Sequence, residues 1–169
     1  MAYWDAPGQS DEWYTPKYIF DALGCEFDLD VASPHLRWHV PAKVWIDAEE
    51  DGLKLAPFWT GFVWMNPPFG GRNGLEPWLD AFFAHGNGIA LTPDRTSAPW
   101  FRKAWLRSDA VLFTPKVRFI RPDGTLGVSP SNGTALMAAG ERGLQALERA
   151  AGVGLGILAQ PIRQIGEAA

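Results

Sequence analysis

The chain has a single cysteine, Cys25, among its 169 residues. A lone thiol excludes an internal disulfide and a cysteine-based zinc site, and it fits a reducing compartment. Long apolar runs are missing as well. None approaches the roughly 18 residues that cross a bilayer, and Met1 to Asp11 is polar, without the apolar region of a secretory signal. A cytoplasmic protein with no membrane partner is expected. Histidine is scarce: His35 and His39 stand at i, i+4 spacing, but no acidic third ligand completes a recognisable site, so no metal is expected. The chain has no internal repeat, and nothing in it sets the oligomeric state.

What is present is apolar content of 47%, enough for one sizeable core and one domain spanning residues 1–169. That length leaves no room for a separate target-recognition domain. The net charge of −4 argues at first against a nucleic-acid partner. Its distribution reverses the argument. Residues 1–71 carry 4 basic and 11 acidic groups, residues 72–121 carry 8 and 4, and residues 122–169 carry 3 and 4, giving −7, +4 and −1. An acidic cofactor-binding half beside a basic face explains this, and so does surface charge clustered for solubility.

Short apolar runs bounded by Gly, Pro or Asp predict strands at Cys25–Asp30, Lys43–Ile46, Gly61–Met65, Gly88–Thr92 and Ala110–Thr114. Helical periodicity predicts a first helix opening at Thr15, whose hydroxyl can cap it, and stopping before Gly24. Further helices are expected over Leu75–His85, Ser97–Arg107 and Glu141–Ala151. Alternating strand and helix imply an α/β fold, a mostly parallel sheet with helices on both faces and ligand sites at the carboxyl ends of its strands. Val117–Arg121 and Thr134–Ala139 read as a C-terminal antiparallel hairpin joined by the long loop Pro122 to Gly133. Seven tryptophans among apolar neighbours, at 38, 45, 59, 64, 78, 100 and 105, read as core.

The chemistry concentrates at Asn66-Pro67-Pro68-Phe69, which directly follows the third predicted strand. Two prolines fix φ and lack N–H groups, so the turn is rigid and its carbonyls are left to accept from a ligand. The Asn66 side-chain oxygen and the Pro67 carbonyl are two acceptors, matching the two donors of an exocyclic amino group. Drawing both hydrogens onto acceptors frees the nitrogen lone pair for attack on a sulfonium methyl without a charged base. Phe69 can stack on the same ring and hold it in line. A plain strand-end turn with Phe69 in the core is the competing reading of these four residues.

The tetrad resembles the Asn-Pro-Pro-Tyr/Phe signature of amino-group methyltransferases. The chain from Trp13 to Ala139 is similar to the small phage-type DNA N6-adenine methyltransferases, because Trp13-Tyr14-Thr15-Pro16, Phe27-Asp28-Leu29-Asp30-Val31-Ala32-Ser33, Asp51-Gly52-Leu53 and the tetrad stand in the family's order. The resemblance implies a compact Rossmann-like methyltransferase sheet, S-adenosylmethionine as cofactor and DNA as partner, in a bacterial or phage-infected cell. It implies that Trp13, Thr15, Pro16, Asp30, Ala32, Asp47 and Asp51 line the cofactor. A carboxylate at Asp30 suits the cofactor's ammonium, and Thr15 at a helix start suits its carboxylate. Asp51 either accepts from the cofactor's adenine amino group or is only the turn residue before Gly52. Asp47, Glu49 and Glu50 all stand where an acid for the ribose is expected.

The chain departs from the wider methyltransferase pattern after the first strand, where Val31-Ala32-Ser33-Pro34 replaces the glycine-rich loop. Arg72, Asn73, Arg95, Lys116, Arg118 and Arg121 are candidates for DNA contacts, the last three by alternation along one face of the hairpin. Surface ion pairing or a solvated loop competes for Arg95, Arg72 and Asn73. Two other functions stay open: methylation of another planar amino group, cytosine N4 or glutamine N5, and a non-catalytic DNA-binding module of the same fold.

Overall fold

The computed structural model describes residues 13–35, 39–69, 74–130 and 132–162. Seven strands form one sheet in the order β2-β1-β3-β4-β6-β5-β7. They are β1 Phe27–Asp30, β2 Ala42–Trp45, β3 Val63–Met65, β4 Gly88–Pro93, β5 Ala110–Thr114, β6 Thr134–Ala139 and β7 Ile157–Ala159. The helices are α1 Lys17–Leu23, α2 Glu76–His85, α3 Pro99–Arg107 and α4 Glu141–Gly152, with a 3-10 turn at Ala56–Phe58.

The five strands expected before the hairpin all form, and the α/β class holds. The sheet is nevertheless mixed, not mostly parallel. β2, β1, β3 and β4 pair in parallel, whereas β4 with β6, β6 with β5 and β5 with β7 are antiparallel. The predicted hairpin is also corrected. Thr134–Ala139 inserts between β4 and β5 instead of pairing with 117–121. All six of its residues are buried, and a run apolar on both faces belongs inside a sheet. Residues 117–121 alternate buried Val117 with exposed Arg118 and make isolated bridges from Ile120 to Tyr14 and Leu126. The weakly patterned tail supplies β7, which reaches β5 because Gly156 lies where an added Cβ would stand 2.2 Å from the Phe113 carbonyl oxygen.

Two apolar layers sandwich the sheet. On one face Ile19, Phe20 and Leu23 of α1 and Ala146, Leu147 and Ala150 of α4 cover Phe27, Trp64, Ile89, Leu112 and Leu136. On the other, Leu79 and Phe82 of α2 and Phe101 and Ala104 of α3 cover Val63, Met65, Ala90, Val111 and Met137. Trp59 and Trp64 are buried, Trp45, Trp78, Trp100 and Trp105 are partly so, and Trp38 lies outside the described residues. α1 begins two residues later than expected, with Pro16 at its cap position and no side-chain cap. The Thr15 hydroxyl is used elsewhere. Among the described residues no helix is long and apolar enough to cross a membrane.

Candidate active site

The tetrad leaves β3 at the carboxyl edge of the parallel half of the sheet. The Asn66 amide nitrogen donates to Thr15 Oγ1 at 3.3 Å. This orients the carboxamide: with its NH₂ held by Thr15, the oxygen is left for another donor. Thr15 is buried, and its place is fixed by its neighbour. Tyr14 is 1% exposed, and it exchanges two backbone hydrogen bonds of 2.9 Å with Ile120. The segment before α1 is thereby tied to the chain after β5. Pro67 is buried and Pro68 exposed, while Phe69 is 40% exposed. Phe69 is thus not a core residue, and an exposed ring beside two acceptors is available for stacking.

Asp30 ends β1 next to β3, in register with Trp64. Its side chain is buried, yet among the described residues it accepts only the Ala32 N–H, at 3.2 Å. Burial pushes its carboxyl up to about 7, the one amide bond opposing this only partly. Asp51-Gly52 packs against the same strand end: an added Cβ on Gly52 would stand 1.8 Å from the Val31 carbonyl oxygen. Only glycine permits that approach. The Gly52 carbonyl accepts the Trp59 indole N–H at 3.0 Å, which anchors the turn. Asp51 adopts a φ of 58°, and its Oδ1 accepts the Lys54 N–H at 3.2 Å, so that one oxygen serves its own turn. Asp47, after β2, accepts the N–H groups of Glu49 and Glu50 at 2.9 and 3.3 Å. Ser33, in place of the expected glycine loop, donates its N–H to Ile46 at 2.9 Å, which pins that loop to the end of β2.

The proposed DNA-contacting residues fare unevenly. Arg95 lies in the turn after β4, on the tetrad's edge of the sheet, and is exposed. Lys116 is exposed as well. Arg118 and Arg121 do not share a strand face, because 117–121 is not a strand. Arg118 Nε donates to the Gly127 carbonyl at 2.9 Å, and Arg121 donates to the Leu126 carbonyl at 3.2 Å, so both bind the loop 121–127. Arg72 and Asn73 lie outside the described residues. Part of the basic segment is spent internally, since Lys103 and Arg107 both pair with Asp80, at 3.0 and 2.6 Å.

Sequence reasoning missed Tyr14 as the anchor of Thr15, and it had Gly52 as part of the Asp51-Gly52-Leu53 motif and its turn without its packing against Val31. The first has no local signal, because its partner lies 106 positions away at Ile120. The second had one in the Asp-Gly pair, but not the carbonyl it packs against.

An open α/β sheet with Asn-Pro-Pro-Phe at the end of a central strand, beside a buried acid on the neighbouring strand, defines the class: amino-group methyltransferases. The chain belongs to the DNA N-6-adenine-methyltransferase (Dam) family, whose model matches residues 6–142, most of its length. It is accordingly an enzyme, a DNA N6-adenine methyltransferase, and the non-catalytic alternative is set aside. No curated protein and no solved structure matches it.

Proposed function

We propose that the chain transfers the methyl group of S-adenosylmethionine to N6 of adenine in DNA through Asn66-Pro67-Pro68-Phe69. The observation that carries this reading is the Thr15–Asn66 hydrogen bond, which engages the carboxamide NH₂ and leaves its oxygen to accept from another donor. The adenine leaves the duplex to reach the strand end. Its amino group donates one hydrogen to Asn66 Oδ1 and the other to the Pro67 carbonyl. The nitrogen becomes more tetrahedral, and its lone pair points at the incoming methyl. Phe69 stacks on the purine and keeps the line of attack. As the nitrogen–carbon bond forms, the methyl's bond to sulfur would break and leave a neutral thioether, and the cationic nitrogen would then lose its proton to water, so no ionised base is needed.

The residues present fit the cofactor. A buried carboxyl with no cation beside it among the described residues is suited to an ammonium group, which is what Asp30 offers. Trp13, Thr15, Pro16 and Ala32 would line the same edge, Asp47 would serve the ribose and Asp51 the adenine end. When bound, S-adenosylmethionine supplies an electrophilic methyl on a sulfonium. DNA specificity then rests on loops, of which 94–99 follows β4 at the tetrad's edge, with Arg95 and Lys116 supplying phosphate contacts.

The test is incubation of the protein with methyl-labelled cofactor and genomic DNA free of N6-methyladenine, followed by mass analysis of the nucleosides. Label in N6-methyl-2′-deoxyadenosine is expected. Label in N4-methylcytosine, or none in DNA, would overturn the reading.

A further inference from the structure

Thr92 carries the only buried side-chain oxygen among the described residues that lacks a hydrogen-bond partner. Its side chain is fully buried near the end of β4. The sheet does pair hydroxyls elsewhere: Thr114 and Thr134, also buried, meet Oγ1 to Oγ1 at 2.6 Å. An orphaned buried hydroxyl destabilises a fold, and valine would fill the same space without that cost. Packing alone therefore does not account for threonine at this position.

Its surroundings point to the tetrad. Strand alternation puts Thr92 on the face of Ala90, towards α2 and α3. Met65 pairs with Ala90 at the end of the β3–β4 ladder, and Pro67 follows Met65 by two residues as Thr92 follows Ala90, so the turn leaves the sheet next to the strand that carries Thr92. The opposite neighbour is Ala135, whose side chain is only a methyl group. β4 is held where it ends: Asp94 donates its N–H to the Gly133 carbonyl at 3.1 Å, and a Cβ on Gly133 would stand 2.2 Å from Asp94 Oδ2. Thr92 is thus fixed beside a turn that has carbonyls but, at Pro67 and Pro68, no N–H. Such a turn can be anchored only by a donor, and a hydroxyl is one.

We propose that Thr92 is a positioning residue of the tetrad, donating to a proline carbonyl of the turn once the target amino group is seated on Asn66 and Pro67. Each carbonyl has two lone pairs, so the Pro67 oxygen can serve both the amino group and Thr92. A hydrogen bond made in the reacting complex and missing from the free protein favours transfer and not folding. This inference rests on the function proposed above.

The experiment compares the parent with Thr92→Val and Thr92→Ser by melting, by S-adenosylhomocysteine calorimetry and by single-turnover methylation at saturating unmethylated genomic DNA. Thr92→Val is expected to melt at or above the parent, to bind S-adenosylhomocysteine equally and to transfer methyl about tenfold more slowly. Thr92→Ser should recover most of that rate. Should Thr92→Val not melt cooperatively, Thr92→Ala takes its place. A hydroxyl-free variant at the parental rate overturns the inference, and so does a Thr92→Ser rate as low as that of Thr92→Val. A parent that transfers no methyl overturns the functional reading and this inference together; an active parent with an unaffected Thr92→Val overturns the inference alone.

Discussion

Asp28 and Asp30 are separated by one residue of β1, and the structure treats them oppositely. Asp28 accepts from Lys43 at 2.7 Å and from the Phe62 N–H at 2.9 Å, with Arg142 at 3.5 Å. The Lys43 bond first, and the Phe62 amide next, hold its carboxyl below the usual carboxylate range. Asp30 is buried with one amide donor, and its carboxyl is driven upward. One acid is saturated by the frame around it. The other is held without a counter-charge among the described residues, which folding alone does not explain. The same contrast separates the Thr114–Thr134 pair from Thr92. Asp28 and the Thr114–Thr134 pair are satisfied by the fold, whereas Asp30 and Thr92 are left wanting a partner among the described residues.

That contrast makes the carboxyl edge sensitive in activity and the Asp28 cluster sensitive in stability. The largest expected effect is at Asn66. Asn66→Ala should lower methyl transfer about 10²–10³-fold, as for a lost transition-state hydrogen bond, with a melting curve close to the parent's. A variant that melts normally and keeps the parental rate would sink the mechanism.

Asp30 gives a pH signature. Its folded pKa, about 7, lies above the unfolded value of 3.8. Between those values the folded form holds a proton that the unfolded form has lost, so this group's contribution to stability falls as pH rises from about 4 to about 7 and is flat beyond. Asp30→Asn should therefore stabilise the free protein at pH 8, by up to a few kcal/mol, while weakening S-adenosylhomocysteine binding. Denaturant melts at pH 5 and pH 8 check this, and a parent-minus-variant difference that does not change with pH would contradict it.

Phe69→Ala should weaken productive DNA binding by about 1–3 kcal/mol for a lost stack, read as a raised KM for DNA with an unchanged melting temperature. Asp28→Ala should do the reverse. It leaves the Phe62 N–H without its acceptor and costs roughly 1–3 kcal/mol of stability, with transfer measured below the new melting temperature left at the parental rate. The smallest effect is expected for Lys116→Ala, which should reduce the salt slope of DNA binding by about one; an unaltered slope would remove Lys116 from the interface.

The parallel half of the sheet was legible because each strand is a short apolar run ended by Gly, Pro or Asp, and because Ile19, Phe20 and Leu23 recur at helical spacing. The tetrad was legible because its four residues are consecutive, so no folding is needed to bring them together. The place of β6 was not, since Thr134–Ala139 pairs with strands on both sides and its periodicity does not say which. The hydrogen bond from Asn66 to Thr15 spans 51 positions, beyond any local pattern. Thr15 looked like a helix cap because threonine before Pro16 commonly is one. Arg118 and Arg121 looked like a phosphate-binding face because strand alternation was assumed where only isolated bridges form.

The insertion of β6 between β4 and β5 also bears on how the protein is made. β4 and β5 leave the ribosome before the strand that joins them, so both present open edges, with Ile89, Leu91, Val111 and Leu112 among their apolar residues, until residues 134–139 follow. Unpaired apolar edges are where nascent chains associate with one another. The sheet's closure thus waits on a late segment, and a chain cut short before Thr134 would keep both edges open.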